Sequence, residues 1–256
     1  MLTFTEAQLT AWLSPLIWPF LRVLALLMSA PVLGMKQVPA RVKVALAFFI
    51  TVAAQASLPL TPVIALDSAQ AFEAVLQQLL IGVALGFSAR LVLTGIEYAG
   101  ELIGLQMGLN FAAFFDPISA AQSTAVSRFF GTSAALLFVV LNGHLLLTAA
   151  VIQSFHAFPV AGAQAGPLAF LAAVQPQTWG AEVFRLGLWI ALPIVTMLLF
   201  MNLVLGVIAR VASQMNIFAI GFPLTLGVGL IGITLTMPLM EQPFTLALER
   251  MLAHFQ

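Results

Sequence analysis

The side chains able to do chemistry in this sequence are few, and nearly everything around them is apolar. Glu97 and Glu101 form the one close carboxylate pair; four residues apart, they share a helix face and repel unless something pairs with them. Arg90 lies seven residues before Glu97, two helical turns along the same face, so a contact with Glu97 or Glu101 is within reach of its long side chain. Glu182 and Arg185 stand at i, i+3 and can neutralise each other at a span end. Charge is costly inside a membrane, so Arg90, Glu97, Glu101, Glu182 and Arg185 are expected to form buried ion pairs, with Arg22 a further charge in the first apolar stretch. An ion relay would need a connected series of acids, which the sequence lacks. His144, His156 and His254 have no partner at metal-ligand spacing, and cysteine is absent. The two lysines, Lys36 and Lys43, follow no Gly-x-x-x-x-Gly-Lys-Ser/Thr loop. No catalytic group, metal site or cofactor is expected, and the chain is not read as an enzyme.

Two uncharged patterns say more. Gly100, Gly104 and Gly108 make a doubled Gly-x-x-x-Gly, preceded by Gly82 and Gly86 on the same helical stretch. Such ridges let helix backbones approach closely, either within the chain or at a tight contact between subunits. Downstream comes Gly108-Leu-Asn-Phe-Ala-Ala-Phe-Phe-Asp-Pro117. Phe111, Phe114 and Phe115 fall at i, i+3, i+4, so one helical turn presents all three rings together, and Asp116-Pro117 stops the helix. Bulky apolar groups can seal a constriction against water. The alternative is a re-entrant turn packed in the core.

The elements that carry these residues follow from composition. Of 256 residues, 62% are hydrophobic and 7% charged, against ~45–50% and ~25% in soluble domains. Most of the chain must face lipid or other apolar protein. Nine basic residues balance nine acidic ones, so no excess charge favours nucleic acid. The first charge is Glu6, without the basic start of a cleaved signal, so the stretch up to Met35 is expected to be a retained helix.

Charge-free windows run over 44–66, 129–181, 186–209 and 211–240, and with 10–32 and 69–109 they give roughly six helices long enough to span a ~30 Å hydrocarbon core. Turns are expected at Gly34-Met-Lys-Gln-Val-Pro39, at Ser57-Leu-Pro-Leu-Thr-Pro62, around Asp116-Pro117, along 158–167 and at the connector Arg210 to Asn216, which includes Gln214 and Met215. Lys36, Arg41 and Lys43, then Arg128, then Arg210 mark three turns on one side. The turns around 59–62 and 159–167 carry no basic residue, so both termini are expected outside the cytoplasm.

Four segments, in this order along nearly the whole chain, carry a resemblance: Val38-Pro-Ala-Arg-Val-Lys-Val-Ala-Leu46; Gly100-Glu-Leu-Ile-Gly-Leu-Gln-Met-Gly108 with the following Asn-Phe and Asp-Pro; Asn142-Gly-His144; and Ile217-Phe-Ala-Ile-Gly-Phe-Pro-Leu-Thr-Leu226. Together they resemble the FliR family of type III export gate subunits, the flagellar members more than their virulence-secretion relatives. The resemblance implies an all-α membrane protein, present as one copy beside several copies each of FliP and FliQ and near FlhB, at the inner membrane in the flagellar basal body. It implies a FliP-like part over 1–184 and a FliQ-like hairpin over 185–256, with the apparent spans largely held inside the complex and raised toward the periplasm. It also implies a plug loop at about 106–124, with Met107, Asn110, Phe111, Phe114, Phe115, Asp116 and Pro117 closing the pore against unfolded substrates in transit. Arg210, Gln214, Met215 and Asn216 would face the cytoplasmic entrance. A small-solute transporter, for which Pro193, Pro223 and Pro238 are candidate helix breaks, and an assembly scaffold without a conduit are the alternatives.

Overall fold

A computed structural model describes residues 6–59, 61–65, 67–109, 123–160, 168–212, 214 and 217–255, the side chains of 6–10 and 217–218 excepted. Every regular element among the described residues is helical, as expected for an all-α membrane protein. In order these are α1 (Glu6–Ser29), α2 (Ala40–Ala54) continued by a 3-10 turn (Gln55–Ser57), α3 (Ala69–Gln106), α4 (Ala125–Val140) and α5 (Gly143–Ala157). Then follow α6 (Phe170–Val174), α7 (Trp179–Val211), α8 (Ile217–Thr236), a 3-10 turn (Met237–Met240) and α9 (Glu241–Ala253). Five helical stretches among the described residues are long and apolar enough to cross a membrane, or six if the bent pair α4 and α5 counts as one span.

The breaks have local causes. Helix is broken between α4 and α5 at Asn142, which adopts φ 56°, a left-handed conformation that Asn tolerates better than most residues. The window 129–181, expected to hold at least one full span, is therefore broken at its Asn-Gly. α2 begins at Ala40, ahead of the charge-free window. Lys43 can lie in its first turns because its ammonium donates back to the carbonyls of Gly34 at 3.0 Å and Met35 at 3.2 Å. Pro193 and Pro223 sit inside continuous helices, α7 and α8, so neither is a helix break; Pro238 lies in the 3-10 turn before α9.

α3 has 38 residues and α7 has 33. At ~1.5 Å per residue α3 is about 57 Å long, well beyond a ~30 Å hydrocarbon core. Part of it must project past the lipid or lie against protein.

Two compact units form, each discontinuous in sequence: Met1–Leu91 with Asn142–Trp179 and Leu248–Gln256, and Val92–Leu141 with Gly180–Ala247. The division expected at 184/185 falls inside α7. The core of the first unit is organised around Arg22, which is fully buried. Its Nε donates to Gln78 Oε1 at 2.7 Å, one terminal nitrogen to Ser154 O and Oγ at 2.8 and 3.0 Å, and the other to Phe158 O at 2.6 Å. The guanidinium carbon also lies 3.9 Å from the centre of the Phe155 ring. These acceptors are neutral. Ser154 and Phe158 stand at the C-terminal end of α5, where the helix dipole is negative; the Ser154 carbonyl also accepts the Phe158 amide, and Phe158 is the C-cap. Arg22 on α1 thus caps α5, and a buried cation is satisfied by dipoles and a ring face. Nearby, Ser14 accepts from Trp18 Nε1 at 2.9 Å and from the Ile64 amide at 3.2 Å, tying the segment 61–65 to α1.

Arg22→Ala would leave the Phe158 carbonyl and Gln78 Oε1 without the donor that Arg22 gives them and would strip the Ser154 carbonyl of one of its two donors, and should cost roughly 3 kcal/mol or more. Arg22→Lys keeps the charge but not the planar fork and should fall between alanine and the native residue. Thermal unfolding of the detergent-solubilised protein measures both. A lysine variant as stable as the native chain would contradict the geometry.

Candidate functional site

The phenylalanine-rich segment leaves α3 through a glycine cap. Gly108 has φ 79°, the Leu109 amide donates to Gly104 O at 3.1 Å, and the Gly108 amide donates to Leu105 O at 3.1 Å. These are the two bonds of a Schellman ending, which needs a left-handed residue where Gly108 stands. Met107, just before it, is buried at 1% exposure. Its carbonyl accepts from Thr225 Oγ1 of α8 at 3.4 Å. Its thioether lies over Gly229, where a Cβ would come within 2.6 Å of the Met107 sulfur. The N-terminal root of the segment is therefore seated on α8.

The C-terminal root is Thr124, the N-cap of α4. Its hydroxyl accepts from the Ser127 amide at 3.1 Å and donates to Glu101 Oε2 at 3.1 Å. The same carboxylate oxygen accepts from the Thr124 amide at 3.1 Å. In a capping box, a Glu or Gln three residues after the cap takes the cap's own amide. Here that position is Ser127, whose hydroxyl instead donates to the Glu97 carbonyl at 3.0 Å. Glu101, on the neighbouring helix, supplies the missing carboxylate and sits where the α4 dipole favours negative charge. A Cβ at Gly104 would come within 2.7 Å of Thr124 Oγ1, so the last turns of α3 and the start of α4 are in direct contact.

The glycines expected as a packing ridge divide by role. A Cβ at Gly82 would lie 2.7 Å from Ala25 Cβ, and one at Gly86 would lie 2.7 Å from the Ala30 amide nitrogen, both on α1 or its end. A Cβ at Gly100 would lie 2.8 Å from Ser127 Cα and 2.9 Å from Phe130 Cβ on α4. Gly82, Gly86, Gly100 and Gly104 thus meet the chain's own helices and residues beside them, the within-chain alternative, while Gly108 serves as a cap rather than a ridge.

The charges arrange themselves differently from a set of buried pairs. Arg185 does donate to Glu182 Oε1 at 3.3 Å, but the two side chains are 64% and 35% exposed. Arg90 and Glu97 are exposed and Glu101 is half-buried. Glu97 lies along α4 at a place kept clear by Gly131, where a Cβ would stand 2.7 Å from Glu97 Oε1. Arg210 and Gln214 are exposed at the connector. Asn110, Phe111, Phe114, Phe115, Asp116, Pro117, Met215 and Asn216 lie outside the described residues.

The family described as bacterial export proteins, family 1, matches residues 13–251. The chain is 45% identical over 244 residues to the flagellar biosynthetic protein FliR of Escherichia coli (strain K12), covering 95% of this chain and 92% of that relative. It is 43% identical over 246 residues to the FliR of Pectobacterium carotovorum subsp. carotovorum, with the same shares covered. The FliR of Aquifex aeolicus (strain VF5) is 32% identical over 231 residues, 89% of this chain and 87% of that relative. The chain belongs to this export protein family.

For a member of the bacterial export proteins, the residues that sequence reasoning left without a role are those that hold the segment's roots: Thr124, Ser127, Gly131, Thr225 and Gly229. One signal was present. Thr124 precedes the apolar run of α4 as a cap residue should, yet no Glu or Gln follows at 127, which calls for a carboxylate from elsewhere.

The glycine contacts differ in what must yield. At Gly100 the obstacle is α4 backbone, whereas at Gly229 it is the flexible thioether of Met107. Gly100→Ala should destabilise the chain by about 1–3 kcal/mol through overpacking, and Gly229→Ala by clearly less. Around Gly206 and Gly227 nothing lies within 4 Å, so alanine at Gly206 should stabilise the isolated chain by up to ~1 kcal/mol. Unfolding midpoints of the three variants in one detergent test the ranking.

Proposed function

We propose that the chain is a subunit of the flagellar type III export gate at the bacterial inner membrane. With FliP and FliQ it forms a gated conduit for unfolded export substrates, one copy of this chain beside several of each partner, with FlhB alongside. The observation that carries the reading is the near full-length likeness to flagellar biosynthetic proteins, since 92% of the Escherichia coli relative is covered. Two features of the chain support it. Residues 110–122 connect two roots that are each tied to a neighbouring helix, at Met107 by α8 and at Thr124 by α3. α7 also presents an apolar stripe, with Phe200, Leu203, Val207 and Val211 at 65%, 64%, 58% and 84% exposure, and this stripe needs lipid or another apolar chain against it.

On this reading Phe111, Phe114 and Phe115 form a plug that excludes ions at rest and moves aside for substrate. The first part of the chain corresponds to a FliP-like subunit and residues 185–256 to a FliQ-like hairpin. The connector with Arg210, Gln214, Met215 and Asn216 lies at the cytoplasmic entrance. A solute transporter built on discontinuous helices finds no help at Pro193 or Pro223, which lie within unbroken helices.

The test has two stages. The tagged chain, expressed with its native neighbours and extracted in mild detergent, should appear in native mass spectrometry as one copy in a large hetero-oligomer. A monomer or homodimer, with the neighbours present, would count against the gate. Replacing Phe111, Phe114 and Phe115 by alanine should then raise ion leak through a complex of unchanged mass. Unchanged conductance and growth would rule out the plug.

A further inference from the structure

We infer that Glu101 is a positioning residue of this gate: its carboxylate holds the C-terminal root of the phenylalanine-rich segment against α3, and losing that grip loosens the closed conduit. The inference rests on the export-gate reading and adds a residue that the reading did not assign.

The geometry gives Glu101 this task rather than ion pairing. Oε2 accepts both donors that Thr124 offers, the backbone amide and the hydroxyl, each at 3.1 Å. The hydroxyl can donate there because its lone pair takes the Ser127 amide at 3.1 Å, so one residue links the carboxylate to the first turn of α4. The contact is between residues 23 apart in sequence, which makes it a closure of the intervening chain rather than a local turn. Gly104, one turn after Glu101 on α3, has no Cβ to push Thr124 away. A hydrogen bond to a charged acceptor is stronger than a neutral one, and two of them converge on one oxygen.

The alternative for Glu101 is a purely local helix cap whose loss weakens the fold and nothing else. The two roles separate experimentally in the complex assembled with its neighbours. Glu101→Ala should speed hydrogen exchange at the Thr124 and Ser127 amides by about tenfold or more, while the mass of the complex is unchanged. It should also raise ion leak in the direction of the phenylalanine variant. Thr124→Val removes the hydroxyl and should raise leak too. The double variant should leak no more than Glu101→Ala alone, because both act on one contact. Glu101→Gln keeps a carbonyl acceptor at the same reach and should fall between native and alanine.

Unchanged exchange at Thr124 and Ser127 in Glu101→Ala would overturn the inference. So would faster exchange with native leak, in a preparation where the phenylalanine variant leaks. If the phenylalanine variant itself does not leak, the plug reading has failed on its own account. The exchange rates then decide whether Glu101 holds the root, with native rates overturning that as well.

Discussion

Close approach of helix backbones to α3 is the constraint from which most of this structure follows. A helix of apolar residues gains little from burying its face when its surroundings are equally apolar, so association depends on contact distance and on the few polar groups brought within reach. Along α3, Gln78, Gly82 and Gly86 follow at four-residue steps and take α1, while Glu97, Gly100, Glu101 and Gly104, later in the helix, take the start of α4. In each case glycine allows the approach and a polar neighbour on the same face uses it. Gly82 lets α1 come near enough for Arg22 to reach Gln78, and Gly104 lets Thr124 come near enough for Glu101.

The charged groups make sense in this light. In an apolar setting an ionised side chain must find donors or acceptors, and neutral backbone dipoles can provide them as well as an opposite charge can. Arg22 takes the Ser154 and Phe158 carbonyls at the end of α5, and Lys43 takes those of Gly34 and Met35. Glu101 takes the cap amide at the start of α4. Cations meet carbonyls and the anion meets an amide at a helix N-terminus, as the peptide dipole dictates. Glu182 and Arg185, at i, i+3 on one helix and substantially exposed, make the ion pair that their spacing suggests.

Legibility in the sequence tracks this distinction. The all-helical class and the start of α3 at Ala69 could be read from composition and from the position of charges, because both depend on local chain chemistry. The glycine ridges were also visible, but a ridge specifies a close neighbour without saying whose, and the structure fills Gly82, Gly86, Gly100 and Gly104 from within the chain. Partners were harder. Arg22 stood out as a lone charge, yet its acceptors are 56, 132 and 136 residues away, and nothing local identifies a carbonyl as an acceptor. The break at Asn142 is not read from the sequence, because its Asn-Gly lies within the charge-free window 129–181 and no turn is expected at that pair.

The roots of the phenylalanine-rich segment bring these strands together. Were the three phenylalanines to plug a passage as proposed, their position would have to be fixed, and aromatic packing alone is tolerant of sliding because dispersion has no direction. Direction comes from the hydrogen bonds at the two ends. At the first root, a glycine-capped helix end sets the chain's exit and α8 takes the Met107 carbonyl. At the second, a threonine cap lacks the carboxylate that its own helix would ordinarily supply and borrows it from α3. A cap completed within α4 would hold that helix equally well but leave its start free to move relative to α3. Borrowing the carboxylate makes the helix start and the contact with α3 one and the same interaction, so the segment's root cannot shift without breaking both hydrogen bonds to Glu101. This coupling of helix start to neighbouring helix is what an ordinary helix cap lacks.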